Sequence, residues 1–423
     1  MTDRSGRPAL PSPRPRPAGA PTALGGIRVL DFTRLIAGPY CTMLLSDLGA
    51  EVLKVEHPVT GDDSRQLRPP EVGGLSSMFV MMNRGKRSIA LDLASPEGKA
   101  LARELARKAD VVVENFSAGV MDRLGLGYET LRADNPGLVY CAIGAFGREG
   151  AYADRPGYDP IAQSESGFLS LNGFPDGDPV RAGPPIVDIS TGMMACNAVL
   201  GALVARGRTG EGQYVEAALF DDAVNLTGQY GMNFLMTGQD QPRWGNGAGA
   251  VVPVGLFHAA DGPIYVTCAN DRNYRRLATD VLGRPDLADS PDYATNELRV
   301  RNRKALDATL TAIFETQPRE HWREKGRAAG VPIGNVRTVA EAFTSPEIAD
   351  RGLLSTLPHP TAGTLPNIAP PFRLAGTPLA DPVAAPALGA HTAEILREVL
   401  GCDAARYSEL AATGIFGAAP PAY

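Results

Sequence analysis

An alternation of apolar strands and helices near the start of the chain constrains the fold most. "IRVLDF" (27–32) is a short apolar run. Pro39 suits the first turn of a helix, and Tyr40, Met43, Leu44 and Leu48 then recur at helical spacing. Gly49 ends that helix and "EVLKVE" (51–56) reads as a second strand. The pattern returns over 95–110, with Ser95 as cap, Pro96 at the first helical position and Glu97 in the first turn. "VVVENF", the helix end and strand within "LRADNPGLVYCAIGAFG", and "YVEAAL" extend the series. Strands alternating with helices predict an α/β fold with a doubly wound, mostly parallel sheet, Rossmann-like in its large domain, beside a smaller α+β domain.

The chain has 423 residues, 44% of them hydrophobic, enough to bury a sizeable core in two domains. Residues 1–23 read as a disordered or surface-draped Pro/Arg-rich tail, and 24–230 as the large domain. A Gly-rich linker is expected over 231–250 and the small domain over 251–345. Residues 346–423 read as a Pro-rich strap returning to the large domain, ending in a helix from near Thr392. A net charge of −6 and no basic run beyond the tail make nucleic acid an unexpected partner. Five scattered cysteines without CxxC spacing argue against disulfides or zinc and fit a reducing cytoplasm. The five histidines show no metal-ligand spacing, so no metal is expected. No apolar run approaches the length of a membrane span, so no membrane association is expected.

The first β-α turn, "DFTRLIAGP", lacks GxGxxG, which disfavours a nicotinamide dehydrogenase, although Glu56 ends the second strand where a ribose-binding acid could sit. There is no GxSxG elbow and no P-loop. "GNGAGA" (245–250) reads as a mobile linker rather than a phosphate loop. "NRGKRS" (83–88) groups Arg84, Lys86 and Arg87; such a cluster is either a solvated face or a grip for a phosphorylated ligand. "ENFSAGVMDRLGLG" puts Asn115 at the carboxyl end of a strand, where open α/β sheets bind ligands, and Arg123 one short helix further on. In "AGPPIVDISTGMM" (182–194), Asp188 stands where a helix should begin. Two readings fit it: a capping residue, or a nucleophile at the positive end of a helix.

Together these stretches resemble the family III CoA-transferases, the formyl-CoA transferase and carnitine CoA-transferase group. The resemblance runs through "GIRVLDFTRLIAGPYCTMLLSDLGAEVLKVEHP", "NRGKRSIALDL", "DVVVENFSAGVMDRLGLGYE", "YDPIAQSESG", "VDISTGM", "RTGEGQYVEAALFDDAV" and "LGAHTAEIL", in order from about residue 24 onward. It implies an enzyme moving CoA from an acyl-CoA to an organic acid, with CoA as substrate and no tightly bound cofactor. Asp188 would be the nucleophile, forming an acyl-aspartyl anhydride and then an aspartyl-CoA thioester. An ordinary aspartate is ionised at neutral pH and needs no general base.

The resemblance also implies that Tyr158 lies near the reacting acyl group. Related racemases carry a His at that place, in a "GHD"-like motif that reads "GYDP" here; a tyrosine with a pKa near 10 suits abstraction of an alpha proton poorly. A buried core tyrosine is the plain alternative. Ala37, Asn115 and Arg123 match positions lining the family's CoA site, and Leu91 and Leu93 fall in the segment of its adenine pocket. Arg34, Ile36 and His57 depart from the formyl-CoA transferase pattern, Ile36 replacing a glutamine and His57 an arginine. The family fold implies an interlocked homodimer, in which the large domain binds CoA. A racemase or epimerase on the same fold, and a non-catalytic CoA-binding relative, stay as alternatives.

Overall fold

The structure, a computed structural model, describes residues 8–418. The chain forms two compact units. The first comprises the chain up to Phe168, Ala182–Gly231 and the chain from Pro346; the second comprises Leu169–Arg181 and Met232–Ser345.

The first unit is built on six parallel strands: β1 (Arg28–Asp31), β2 (Glu51–Glu56), β3 (Lys86–Ala90), β4 (Val111–Glu114), β5 (Val139–Gly144) and β6 (Tyr214–Ala218). Their spatial order is β3-β2-β1-β4-β5-β6, with Val29 in register with Val52 on one side and Val111 on the other. Val29, Leu30, Leu53, Val111 and Val112 are wholly buried, as a sheet covered on both faces requires. Helix α1 (Ala37–Asp47) covers one face. α2 (Pro96–Arg107), the short α3 (Val120–Arg123) and α4 (Tyr128–Asp134) cover the other. The chain returns to the first face with α5 (Asp159–Glu165), the 24-residue α6 (Ile186–Thr209) and α7 (Leu219–Leu226).

The physical reasons for α2 are local. Ser95 Oγ accepts the Gly98 amide at 3.0 Å, Pro96 opens the helix, and Leu101, Ala102, Leu105 and Ala106 form the buried stripe. Burying Leu101 and Leu105 contributes about 1.5–3 kcal/mol each. Gly98 cannot be replaced here: a Cβ would overlap the carbonyl oxygen of Asp92. Gly98→Ala is therefore expected to destabilise the unit by about 1–3 kcal/mol in urea unfolding, although Ala is ordinarily the better helix former.

The chain after Pro346 adds a hairpin (Leu354–His359 with Gly363–Ile368) and two helices, Thr392–Leu400 and Ala404–Ala412. These helices lie on the α2 face, where Ile395, Leu396, Tyr407 and Phe416 join Leu101 and Leu105 in one core. Thr392 Oγ1 accepts the Ala90 amide at 3.1 Å, and Ile415 O accepts that of Asp92 at 2.9 Å. Near the start of the described chain, Pro11 O accepts the Thr356 amide at 2.9 Å and Asp381 accepts that of Arg16 at 2.7 Å. The first residues of the Pro/Arg-rich stretch lie outside the described residues.

"NRGKRS" is neither a solvated face nor an open grip for phosphate. Arg84 pairs with Asp47 on α1, Lys86 is wholly buried against Asp31, and Arg87 bridges Glu51, Glu394 and Glu398. A second correction concerns α6. It is long and apolar enough, by length and composition, to cross a membrane, with a mean hydropathy of 1.5 in its best window. Asp188 and Arg206 near its ends and the glycines within it break up the apolar run along the sequence. Its inner side, Val187, Thr191, Ala195, Val199 and Ala202, is packed in the core.

The second unit has a three-stranded antiparallel sheet, with Gly262–Thr267 between Val254–Ala259 and Ile333–Asn335. Helices Arg303–Phe314 and Arg319–Ala329 supply Phe314 and Trp322, whose rings meet edge-on at 5.2 Å beside Phe257. The expected linker from 231 meets a helix that continues through Thr237. "GNGAGA" is pinned rather than loose. Tyr265 Oη donates to Asn246 O, Asn296 Nδ2 to Ala250 O, and Arg303 to the Ala248 and Gly249 carbonyls.

Candidate active site

Helix α6 begins at Ile186, just after Pro184 and Pro185. Pro185 occupies the capping position and has no side-chain acceptor, so the first amides need a partner from elsewhere. Asp188 is the third helical residue, not the cap, which corrects the capping reading. The acceptor comes from the start of α5. Asp159 Oδ2 accepts the Val187 amide at 2.8 Å and the Asp188 amide at 3.2 Å. Gln163 locks this carboxylate: its Nε2 donates to Asp159 Oδ1 at 2.6 Å, and its Oε1 accepts the Ala182 amide at 3.0 Å. Asp159 and Gln163 are both buried.

The Asp188 carboxyl is half-buried and its pKa is pushed up to about 7, first by desolvation and then by the negative charge of Asp159. Near neutrality it is thus only partly ionised, unlike the ordinary aspartate assumed from sequence. The raised folded-state value has a stability consequence. Asp188 ionises in the unfolded chain above about pH 4, while the fold holds its proton up to about 7. Its carboxylate therefore works against the fold increasingly from pH 4 to pH 7, and by a constant amount above that. Asp188→Asn is expected to raise the melting temperature at pH 8, and by less at pH 5, in thermal scans.

Tyr158 immediately precedes Asp159 and caps α5 with its backbone. Its carbonyl accepts the Ile161 and Ala162 amides, while its side chain is 66% exposed. A buried core tyrosine is excluded.

The sheet order reverses between β1 and β4, and a cleft of about 320 Å³ opens at the carboxyl ends of these central strands. Leu91 and Leu93 line it, with Arg34, His57 and Phe116. Glu56 also lines it, but its oxygens are taken by Arg65 Nε and Nη2, each at 2.7 Å, and by Ser88 Oγ at 2.6 Å, which leaves it poorly placed to hold a ribose. Asn115, Ala37 and Arg123 do not line the cleft. Asn115 clasps the loop after β1, its Oδ1 accepting the Arg34 amide and its Nδ2 donating to Arg34 O, both at 2.8 Å. The Arg34 guanidinium lies over the Phe116 ring, 4.9 Å from its centre. Ala37 is buried at the start of α1. Arg123 is exposed beside Gly119 and makes no ion pair among the described residues.

Below the cleft lies a charged network that sequence reasoning missed. Lys54 and Lys86 are fully buried with Asp62 and Asp31, at 2.8 and 3.0 Å. Burial alone would raise the Asp62 carboxyl, but Lys54 and the Leu35 and Ser64 amides hold it at about 2. Burial lowers the Lys86 ammonium to about 8 despite Asp31. Asp62 Oδ1 accepts the amide of Leu35, the one non-glycine residue with positive φ (68°) among those described. The network thus anchors a strained turn between β1 and α1. A signal was present: a lysine in the middle of the buried strand "EVLKVE" must find a carboxylate.

The sequence matches the model for CoA-transferase family III over residues 24–392. It is 37% identical to the human succinyl-CoA:glutarate CoA-transferase over 392 residues, 93% of this chain and 89% of that one. It is 40% identical to the acetyl-CoA:oxalate CoA-transferase of Acetobacter aceti, over 80% and 87% of the two chains. A CAIB/BAIF family protein from Brucella suis superposes with a TM-score of 0.81 at 38% identity, over 90% of this chain and all of that one. The chain belongs to CoA-transferase family III, and its substrates are accordingly an acyl-CoA and a carboxylic acid.

Proposed function

We propose that this enzyme moves CoA between dicarboxylic acids with Asp188 as the covalent carrier. The observation that carries the reading is the half-buried Asp188 carboxyl in the first turn of α6, with its raised pKa. A Asp188 oxygen attacks the thioester carbonyl carbon; the C–S bond breaks and CoA leaves as thiolate with the electron pair. The thiolate attacks the aspartyl carbonyl of the anhydride, releasing the donor acid and leaving an aspartyl-CoA thioester. The acceptor carboxylate attacks that carbonyl, freeing the thiolate and forming a new anhydride. Thiolate attack on the acceptor's carbonyl gives the new thioester and returns Asp188. Each step only redistributes one negative charge, so no external base is needed.

The cleft with Leu91 and Leu93 suits the apolar and adenine parts of CoA. In this reading Asn115, Ala37 and Arg123 contact the parts of CoA that extend past the cleft, and Tyr158 faces the acyl group; alanine variants with raised donor KM would support these contacts, and unchanged KM would remove them. Relatives whose names pair succinate with glutarate or mesaconate, and acetate with oxalate, support a dicarboxylate acceptor. The test is a panel of acyl-CoA donors and dicarboxylates read by mass spectrometry for new thioesters, with intact protein mass after acid quench. A donor-dependent mass gain at residue 188 supports the reading; turnover without it ends it. The rate should rise with pH along a limb centred near 7 rather than 4, because only ionised Asp188 attacks.

The outer side of α6 exposes Met193, Met194, Ala198, Gly201 and Val204 around the single polar Asn197, a mostly apolar face that supports a homodimer with a second copy of this chain. Sedimentation at micromolar concentration should give twice the 44.6 kDa chain mass. Five free, buried cysteines support a reducing, cytoplasmic setting.

A further inference from the structure

We propose that Asp159 is the positioning residue of the nucleophile: it clamps the first turn of α6 through the amides of Val187 and Asp188 and holds a fixed negative charge beside the reacting carboxylate. This rests on the reading of Asp188 as the nucleophile.

The geometry is specific. One buried carboxylate accepts two amides of α6 through one oxygen and the Gln163 amide through the other, and Gln163 ties the arriving chain at Ala182. The segment from Ala182 to Asp188 is therefore fastened to α5 at three backbone points. No side chain on α6 caps its own start.

The chemistry follows from where charge goes. The amides that would otherwise favour a carboxylate at residue 188 are already occupied. Repulsion from Asp159 raises the energy of the free Asp188 carboxylate, but not of its anhydride or thioester, in which residue 188 is uncharged. When the Asp188 oxygen bonds to the acyl carbon and the thiolate departs with the C–S electron pair, the charge leaves the neighbourhood of Asp159. The fixed charge thus favours the covalent states, and the clamp fixes the backbone from which the attack is made.

Other ionisable groups around α6 are accounted for. Asp222 on α7 accepts the Ser190 and Thr191 hydroxyls, and Tyr40 on α1 lies against Gly192. Asp47 on α1 bears on Cys196, two turns further along, and Cys196 in turn bears on Cys141 of β5.

The experiment uses the full chain as wild type, Asp159→Asn, Asp159→Ala and Gln163→Ala. Exchange is measured from pH 5 to 9 with succinyl-CoA and labelled glutarate as probes, and intact mass is read after acid quench. Asp159→Asn keeps an oxygen for the two amides and removes the charge. It should move the rising limb to lower pH by about one unit or more and lower the quenched adduct fraction. Asp159→Ala removes the clamp as well and should lower kcat by about 100-fold. Gln163→Ala keeps the charge but frees its orientation; kcat should fall several-fold with the limb unmoved and donor KM unchanged. An Asp159→Asn protein whose rate falls by one factor at every pH, with the limb fixed, overturns the proposal. If Asp159→Asn does not fold, a Gln163→Ala protein altered only in KM overturns it. A wild type that turns over without gaining mass at residue 188 overturns the nucleophile and this role together, and is recognised without any variant.

Discussion

Asp188→Ala should exchange CoA at a rate lowered roughly 10⁴-fold or more, while still binding CoA. The loss is large because every proposed covalent state is built on that one carboxylate. The variant should remain folded for a reason specific to this site. The α6 cap is supplied by Asp159 to backbone amides, and alanine keeps the amide of residue 188. The protein should also lose the adduct that hydroxylamine traps in the wild type. Calorimetric binding of CoA, hydroxylamine trapping and exchange kinetics on one preparation check all three. Retained exchange would remove Asp188 from the reaction; loss of CoA binding would give it a binding role instead.

Asp31→Ala should destabilise the first unit by about 3–5 kcal/mol in denaturant unfolding, the cost of leaving a buried ion uncompensated. Asp31 is fully buried and accepts from Lys86 Nζ at 3.0 Å, Thr33 Oγ1 at 2.6 Å and Thr42 Oγ1 at 2.7 Å. Burial works to raise its carboxyl, but Lys86 and Lys54 outweigh it and keep the pKa below the ordinary value. Removing it leaves Lys86 with only the Pro39 carbonyl and the Asn83 side chain. The paired change Asp31→Leu with Lys86→Met should recover most of the loss, because it removes both charges together. If the double variant is no more stable than Asp31→Ala, the ion pair is not the cause.

Legibility in the sequence followed the range of each interaction. α2 was readable from Ser95, Pro96 and its apolar stripe because its cap and its buried face lie within one short segment. The parallel sheet was readable because buried strands are short apolar runs between helices. The partners of "NRGKRS" were not, because Asp47, Asp31, Glu51 and Glu398 are brought to it only by the folded sheet and the returning chain. Asp159 shows the same limit. "YDPIAQ" was visible, but the helix it caps begins 27 residues later, and no periodic pattern connects the two. The place of Asp188 at a helix start leaves both a cap and a nucleophile open; the resemblance favours the nucleophile, and the structure gives the cap to Asp159.

Translation gives the C-terminal helices a further meaning. Leu101 and Leu105 share one core with Ile395, Leu396, Ile415 and Phe416, about 300 residues downstream. At ribosomal rates of roughly 5–20 residues per second, the core on that face of the sheet stays incomplete for about 15–60 s after α2 has emerged. A stalled ribosome or a nonsense codon upstream of Thr392 would release a chain with part of this apolar core uncovered, the kind of species prone to aggregate.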